Sequence, residues 1–79
     1  MKIFRGNFED VANGVKRFEI RRDDRGFQSH QEVVLSEWQP ELEEYTGRYC
    51  IAEITCITDF EQKDGFVVFG INVKYVFWG

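Results

Sequence analysis

The chain has 79 residues, 43% of them hydrophobic and 16% aromatic, and a net charge of −4 at pH 7. This composition excludes a disordered chain and leaves room for one domain, residues 1–79. The overall charge argues against nonspecific binding to a nucleic-acid backbone, which requires a basic surface. The first 25 residues, however, contain seven Lys/Arg against five Asp/Glu, and the rest contain three against nine. This unevenness favours a small, selective site for a polyanion or nucleotide.

Compartment and cofactor use follow from what the sequence lacks. It contains no signal-peptide pattern and no apolar run approaching the roughly 20 residues of a membrane span. Cys50 and Cys56 lie in one predicted strand, about 20 Å apart at about 3.3 Å per residue, which is beyond disulfide reach. Together with His30, a predicted loop residue, they form no zinc motif. We therefore expect reduced, buried thiols, no metal or other cofactor, and a cytoplasmic protein.

A short helix is predicted over residues 7–14. Asn7 is a suitable N-cap and Gly14 a suitable C-terminal stop. Three apolar residues at spacing i, i+3, i+4 form one stripe: Phe8, Val11 and Ala12. We expect this helix to lie against a sheet.

Strand patterns occupy most of the remaining chain. They cover residues 16–22, 32–38 and 48–58, and residues 66–78 form one or two final strands, broken or bulged near Gly70. In the strand at 48–58, four small or apolar residues share the face expected to point inward: Cys50, Ala52, Ile54 and Cys56. Turns or connections are expected at residues 23–26, 39–47 and 59–64. The fold class is therefore α+β, mainly β, with about five strands in a small mixed or antiparallel barrel.

The stretch Gly14 to Arg21 carries the spacing G-x-K-x-x-E-x-R. Glu19 and Arg21 share one strand face, with Lys16 at the strand's entry, while Phe18 and Ile20 are expected to face the core. Lysine and arginine can hold a phosphate or a base edge, and the glutamate can accept from a base amino group. The alternative is a solvated strand face with ordinary salt bridges.

Further candidates could extend this site. Arg17, Arg22, Arg25 and Arg48 could form a basic rim, or could be isolated surface arginines. Trp38 could stack on a base, or anchor the core or a loop.

The tail, residues 72–79, is unusually apolar and aromatic. From Val73 to Trp78 both strand faces are largely hydrophobic. The tail is either buried in the barrel wall or an edge that supports self-association or binds a protein partner.

Four segments resemble the ASCH domains of the PUA-like superfamily, in their small bacterial and phage branch of unknown function. They are FEDVANGVKRFEIRRDDRGFQ, VVLSEWQP, EYTGR and GFVVFGI, in the expected order over about residues 8–71. Relatives often have Val-Gly-Asp where this chain has Ser29-His30-Gln31. The resemblance implies a PUA-like β-barrel with a short helix near its mouth, binding RNA or a nucleotide in a cleft beside Lys16, Glu19 and Arg21.

Three functions remain open. The first is an RNA- or nucleotide-binding module without catalysis. The second is an amidohydrolase acting on an N-acetylated cytidine, with Lys16 and Glu19 catalytic, because one branch of the superfamily has this activity. That branch has a threonine three residues after its lysine, where this chain has Glu19, and a carboxylate stabilises a charged lysine rather than a base. The third is a phage-type protein-interaction module or inhibitor of a host factor.

Overall fold

The computed structural model describes residues 1–79. Its elements are β1 (Lys2–Phe4), α1 (Arg5–Ala12), β2 (Phe18–Arg22), β3 (Glu32–Gln39), β4 (Glu44–Thr58) and β5 (Phe66–Phe77). The prediction of a mainly β fold with about five strands and one short N-terminal helix is confirmed. α1 has eight residues, and no helix is long and apolar enough to cross a membrane.

The five strands form one strongly curled half-barrel sheet in the order β1-β3-β4-β5-β2. β1 runs parallel to β3, and the other neighbours are antiparallel. The edge strands β1 and β2 each pair with a neighbour on one side only. The Arg21 guanidinium (Nη2) donates to the Lys2 carbonyl oxygen at 2.7 Å, so one side chain bridges the gap between them. The half-barrel is therefore open along one seam.

Irregularities in strand pairing accompany the curl, since bulges bend a strand and increase its twist. The β4–β5 register shifts between Ile54 and Ile57, opposite Gly70, so β5 is continuous and the extra residue lies in β4. A Cβ atom on Gly70 would lie 2.5 Å from the Thr55 hydroxyl oxygen. Glycine is favoured here because a larger residue would press against the side chain of Thr55 in the bulge.

The helix begins two residues before the predicted start, and its last residue, Ala12, lies two residues before the predicted stop at Gly14. Phe4, in extended conformation, is the N-cap without a side-chain hydrogen bond, and Asn7 lies inside α1. The N-cap prediction was wrong because β1 leads directly into the helix. At the C-terminus, Gly14 has φ +75° and donates to the Val11 carbonyl at 3.0 Å, while Val15 donates to that of Asp10 at 2.8 Å. This is a Schellman motif, and it confirms Gly14 as the stop.

The core lies on the concave side of the sheet, where α1 packs with Phe8 and Val11 fully buried. The other core residues are Ile3, Phe27, Val33, Leu35, Cys50, Ala52, Ile54, Val67, Phe69 and Ile71. The prediction that Cys56 faces inward was wrong: it is exposed, because the bulge after Ile54 breaks the alternation.

One loop prediction also needs correction, and His30 lies in a loop as predicted. The connection expected at residues 39–47 is a turn at 40–43, because β4 already begins at Glu44, which pairs with Gln39. His30 has φ +70°, the left-handed conformation that glycine adopts most readily. The turn at 29–31 thus keeps a glycine-like backbone without a glycine.

The tail belongs to the sheet as the end of β5. Tyr49 of β4 pairs with Phe77, and Ile51 pairs with Tyr75. On the outer face, the rings of Tyr49 and Phe77 stack at a centroid distance of 5.4 Å. Tyr75 and Phe77 remain 51% and 41% exposed, so the tail is paired through its backbone while its outer aromatic face stays open to solvent.

Candidate functional site: the cleft at the open seam

A cleft of about 450 Å³ lies between the facing edges of β1 and β2. Its lining combines cations, one carboxylate, one amide and apolar side chains, contributed by Lys2, Ile3, Phe4, Asn7, Lys16, Phe18, Glu19, Ile20 and Arg21. We call it the seam cleft. The structure thus brings the predicted trio Lys16, Glu19 and Arg21 together in one cavity.

The orientation predicted for β2 was wrong. Glu19 is the buried residue, at 4% exposure, whereas Phe18 and Ile20 are 47% and 51% exposed. The pairing with β5 explains this, because Glu19 lies opposite the core residue Phe69 and directly paired residues point to the same face. The glutamate therefore points into the half-barrel, and the two apolar side chains point away from the core.

Both oxygens of the Glu19 carboxylate are engaged by cations. Oε1 lies 3.3 Å from the Lys16 ammonium, and Oε2 accepts from Arg21 Nε at 3.0 Å. The Glu19 side chain is 5% exposed, compared with 22% and 26% for its partners. A buried carboxylate needs such partners, since an unpaired buried charge is strongly unfavourable. The trio carries a net charge of +1, and Glu19 holds its two cations, Lys16 and Arg21, in place on the cleft wall.

Two exposed aromatic rings stand at this cleft, one on each edge strand. Phe4 of β1 is 58% exposed and Phe18 of β2 is 47% exposed. The Lys16 ammonium lies 5.4 Å from the centre of the Phe18 ring. Exposed rings beside cations are the means by which proteins hold unpaired nucleobases. Asn7 adds an amide that can both donate and accept.

The other predicted basic residues of the N-terminal region lie outside the seam cleft. Arg22 and Arg25 line a neighbouring pocket that shares Lys2 and Arg21 with the seam cleft. Arg17 is exposed, and its Nε donates to the Gly14 carbonyl at 3.0 Å.

Arg48 lies away from the seam cleft and forms a separate cluster. Its Nε and Nη2 donate to the two oxygens of Glu37 at 2.8 and 2.7 Å, and Thr46 donates to the same carboxylate at 2.7 Å. The hydrogen bonds from Arg48 to Glu37 are the main reason why the pKa of Glu37 is lowered. The same hydrogen bonds raise the pKa of Arg48. The guanidinium also lies 5.4 Å from the ring centres of Phe8 and Trp78. This cluster joins β3, β4, α1 and the tail.

Trp38 lies next to the cleft without lining it. It pairs with Phe4 across β1 and β3. Its ring is covered by the Lys2 ammonium at 3.8 Å and meets Tyr45 edge-on at 4.9 Å.

The sequence interpretation missed three residues of interest. Phe4 and Asn7 line the seam cleft, but their position depends on the curl that brings β1 opposite β2. Glu37 carried a readable signal, because it continues the buried alternation of Val33 and Leu35 in β3. A carboxylate on that face requires a buried cation.

Comparison with known proteins gives the family. The sequence model of the protein family "Domain of unknown function (DUF3850)" matches residues 1–71. The chain is also similar to the "Uncharacterized 12.9 kDa protein in GpA 3'region" of Escherichia phage P2, with 36% identity over 59 residues. This match covers 75% of the chain and 52% of the phage protein, so the chain spans about half the length of that relative. The chain belongs to the DUF3850 family.

Proposed function

We propose that this protein is an ASCH-type, PUA-like module that binds RNA or a nucleotide in the seam cleft without catalysing a reaction. The observation that carries the proposal is the composition of the cleft: exposed Phe4 and Phe18 line it together with Lys16 and Arg21, and the Lys16 ammonium lies 5.4 Å from the centre of the Phe18 ring. A locally basic, aromatic cleft on an acidic protein is better suited to binding a single nucleotide or a short single strand than a long duplex.

In this proposal each part of the cleft recognises one part of the ligand. A base stacks on Phe18 or Phe4, at about 1–3 kcal/mol per base. Asn7 hydrogen-bonds to a base edge, and the buried Glu19 holds Lys16 and Arg21 in place. Lys16 faces the ribose, and Lys2, which also lines the neighbouring pocket, faces the phosphate.

The amidohydrolase alternative gains no support from the geometry. The Lys16 ammonium is held by Glu19 at 3.3 Å, which positions it as a donor rather than a base. The residues lining the seam cleft include no serine or threonine hydroxyl. The motif position at which the hydrolysing branch has a threonine is occupied by the buried carboxylate.

The test is a binding titration with single-stranded hexanucleotides of RNA and with the four ribonucleosides, at low and near-physiological salt. Phe18→Ala and Lys16→Ala remove a ring and a cation while Arg21 still neutralises Glu19. Phe60→Ala and Lys63→Ala remove the same groups from an exposed turn. We expect each cleft variant to weaken binding about tenfold and the controls to leave it unchanged. Binding that survives both cleft variants, or no binding by a folded wild type, would refute the proposal. Product analysis of the same samples checks for release of an acyl group.

A protein-interaction role is the second candidate, and the outer aromatic surface favours it. Tyr49, Tyr75 and Phe77 form a contiguous group on the convex face of β4 and β5. Removing the tail would also remove sheet pairing, so Tyr75→Lys/Phe77→Lys is the better variant. Sedimentation velocity over a range of concentrations should show association that this variant loses. A wild type that remains monomeric throughout would count against self-association.

A further inference from the structure

A second pocket of about 350 Å³ adjoins the seam cleft. Its lining includes four cationic side chains, Lys2, Arg21, Arg22 and Arg25, and one acidic side chain, Asp24. We call it the basic pocket. Lys2 and Arg21 line both cavities, so the two are continuous along the open seam.

The positive charge of the basic pocket is only partly neutralised within the protein. Arg25 lies 3.5 Å from Asp24, but these side chains are 56% and 62% exposed, so the pair is weak. Arg22 and Lys2 contact no carboxylate within 4.0 Å, and each lies over an aromatic ring, Phe66 at 5.0 Å and Trp38 at 3.8 Å. Their donors are therefore available to an anion.

The two cavities together carry a charge opposite to that of the whole protein. Their lining holds five cationic side chains and two acidic ones, a net charge of +3, whereas the complete chain has −4. The remainder of the chain is thus at −7. Such a contrast concentrates anions at one place and repels them elsewhere.

We propose that the basic pocket is a phosphate subsite of the seam cleft, so that the ligand is a nucleotide or single-stranded RNA rather than a free nucleoside. The inference rests on the proposed function, because the base would occupy the seam cleft while its phosphate lies between Arg22 and Arg25. Arginine suits this role because its planar group donates two parallel hydrogen bonds to a phosphate. Arg21 divides the two subsites, with Nε on Glu19 and Nη2 on the Lys2 carbonyl.

The test compares ligands that differ only in the phosphate. Isothermal titration uses the four ribonucleosides, their 5′- and 3′-monophosphates, inorganic phosphate and single-stranded hexauridylate. Arg22→Gln/Arg25→Gln removes the subsite and leaves the trio around Glu19 intact. Lys63→Gln/Lys74→Gln removes the same net charge from positions outside both cavities.

We expect the wild type to bind at least one monophosphate about tenfold more tightly than the matching nucleoside. The arginine variant should reduce that preference to less than about twofold, while the lysine variant keeps it. For hexauridylate, losing two phosphate contacts should lower the slope of log affinity against log salt by about 1.4.

The outcomes separate the two proposals. Equal affinity for nucleoside and monophosphate, both lost in Phe18→Ala, would overturn the phosphate subsite and leave the seam cleft standing. If the wild type bound inorganic phosphate but none of the nucleosides or nucleotides, the basic pocket would not be part of a nucleotide site, and this too would overturn the proposed subsite. No binding of any probe by the folded wild type would overturn both.

Discussion

Arg48→Met should be among the most destabilising substitutions of a charged residue in this protein. The methionine keeps an unbranched apolar stem but removes both hydrogen bonds from the guanidinium to Glu37, at 2.8 and 2.7 Å. The Glu37 carboxylate, 1% exposed, would then keep only the hydrogen bond from Thr46. The variant thus leaves a buried charge without its cation.

The expected loss of unfolding free energy follows from the cost of an unpaired buried charge and from two effects that limit this cost. Removing one partner of a buried ion pair costs about 3–5 kcal/mol. The Arg48 side chain is 25% exposed, so water can replace part of the guanidinium. The carboxylate can also become protonated, and for an ordinary glutamate at pH 7 this costs about 3.7 kcal/mol. We therefore expect a loss of about 3 kcal/mol, from a total unfolding free energy of about 4–12 kcal/mol for a domain of this length.

The assay is urea unfolding followed by tryptophan fluorescence at pH 7 and pH 4.5. Arg25→Met is the matched control, because the exposed Arg25–Asp24 pair should contribute less than about 1 kcal/mol. In the wild type, Glu37 has a lower pKa in the folded state than in the unfolded state. It therefore stabilises the fold at pH values above its unfolded-state pKa, and this stabilisation is lost as the pH falls through its folded-state pKa. In Arg48→Met the buried, unpaired carboxylate has a raised pKa, so its effect has the opposite sign.

The difference in unfolding free energy between wild type and Arg48→Met should therefore shrink as the pH falls from 7 to 4.5. Two results would refute the reasoning. One is a loss at pH 7 no larger than that of Arg25→Met. The other is a loss that does not change with pH, which would mean that packing against Phe8 and Trp78, rather than the charge on Glu37, accounts for the effect.

Three further predictions concern single residues. Burial, and to a lesser extent the charge of Glu19, raises the pKa of the Cys50 thiol to about 11. At pH 7.5 a disulfide reagent should therefore react with one thiol, the exposed Cys56, and with Cys50 only after unfolding. Two rapidly reacting thiols in the folded protein would contradict this. Gly70→Ala should cost about 1–3 kcal/mol by urea unfolding, and Thr55→Ala in the same chain should restore most of it by removing the hydroxyl 2.5 Å away; no recovery would exclude this clash. Phe18→Ala should cost less than about 1 kcal/mol by the same assay, whereas a core phenylalanine costs about 3–5 kcal/mol, and a core-like loss would contradict its exposed position.

Much of the fold could be predicted from local patterns. The apolar stripe of Phe8 and Val11 and the glycine stop at Gly14 specify the helix, because both depend on neighbouring residues. The inward face of Cys50, Ala52 and Ile54 follows from alternation for the same reason. The face of Cys56 could not be obtained in this way, because it depends on a bulge that pairing with β5 imposes.

The central trio of the candidate site could be predicted, but the rest of its lining could not. The spacing of Lys16, Glu19 and Arg21 correctly indicated that the three side chains lie together. The contribution of Phe4 and the separation of Arg48 from the cleft depend on how the sheet curls. No local pattern encodes the distance between β1 and β2, which lie at opposite ends of the strand order.

The reversed face of β2 is the most informative of these differences. A shift of one residue in register would bury Phe18 and Ile20 and expose Glu19, which is the arrangement that alternation favours. With about half of each side chain exposed, the observed register forgoes about 2–3 kcal/mol of apolar burial. The continuation of the pairing, with Ile71 donating to the Arg17 carbonyl at 3.0 Å and Gly70 opposite Phe18, fixes that register. Departures from the pattern of a stable core are expected where a surface serves binding. A ligand that covers Phe18 and Ile20 would recover the burial that folding leaves unused, which is the physical reason to look for one at this seam.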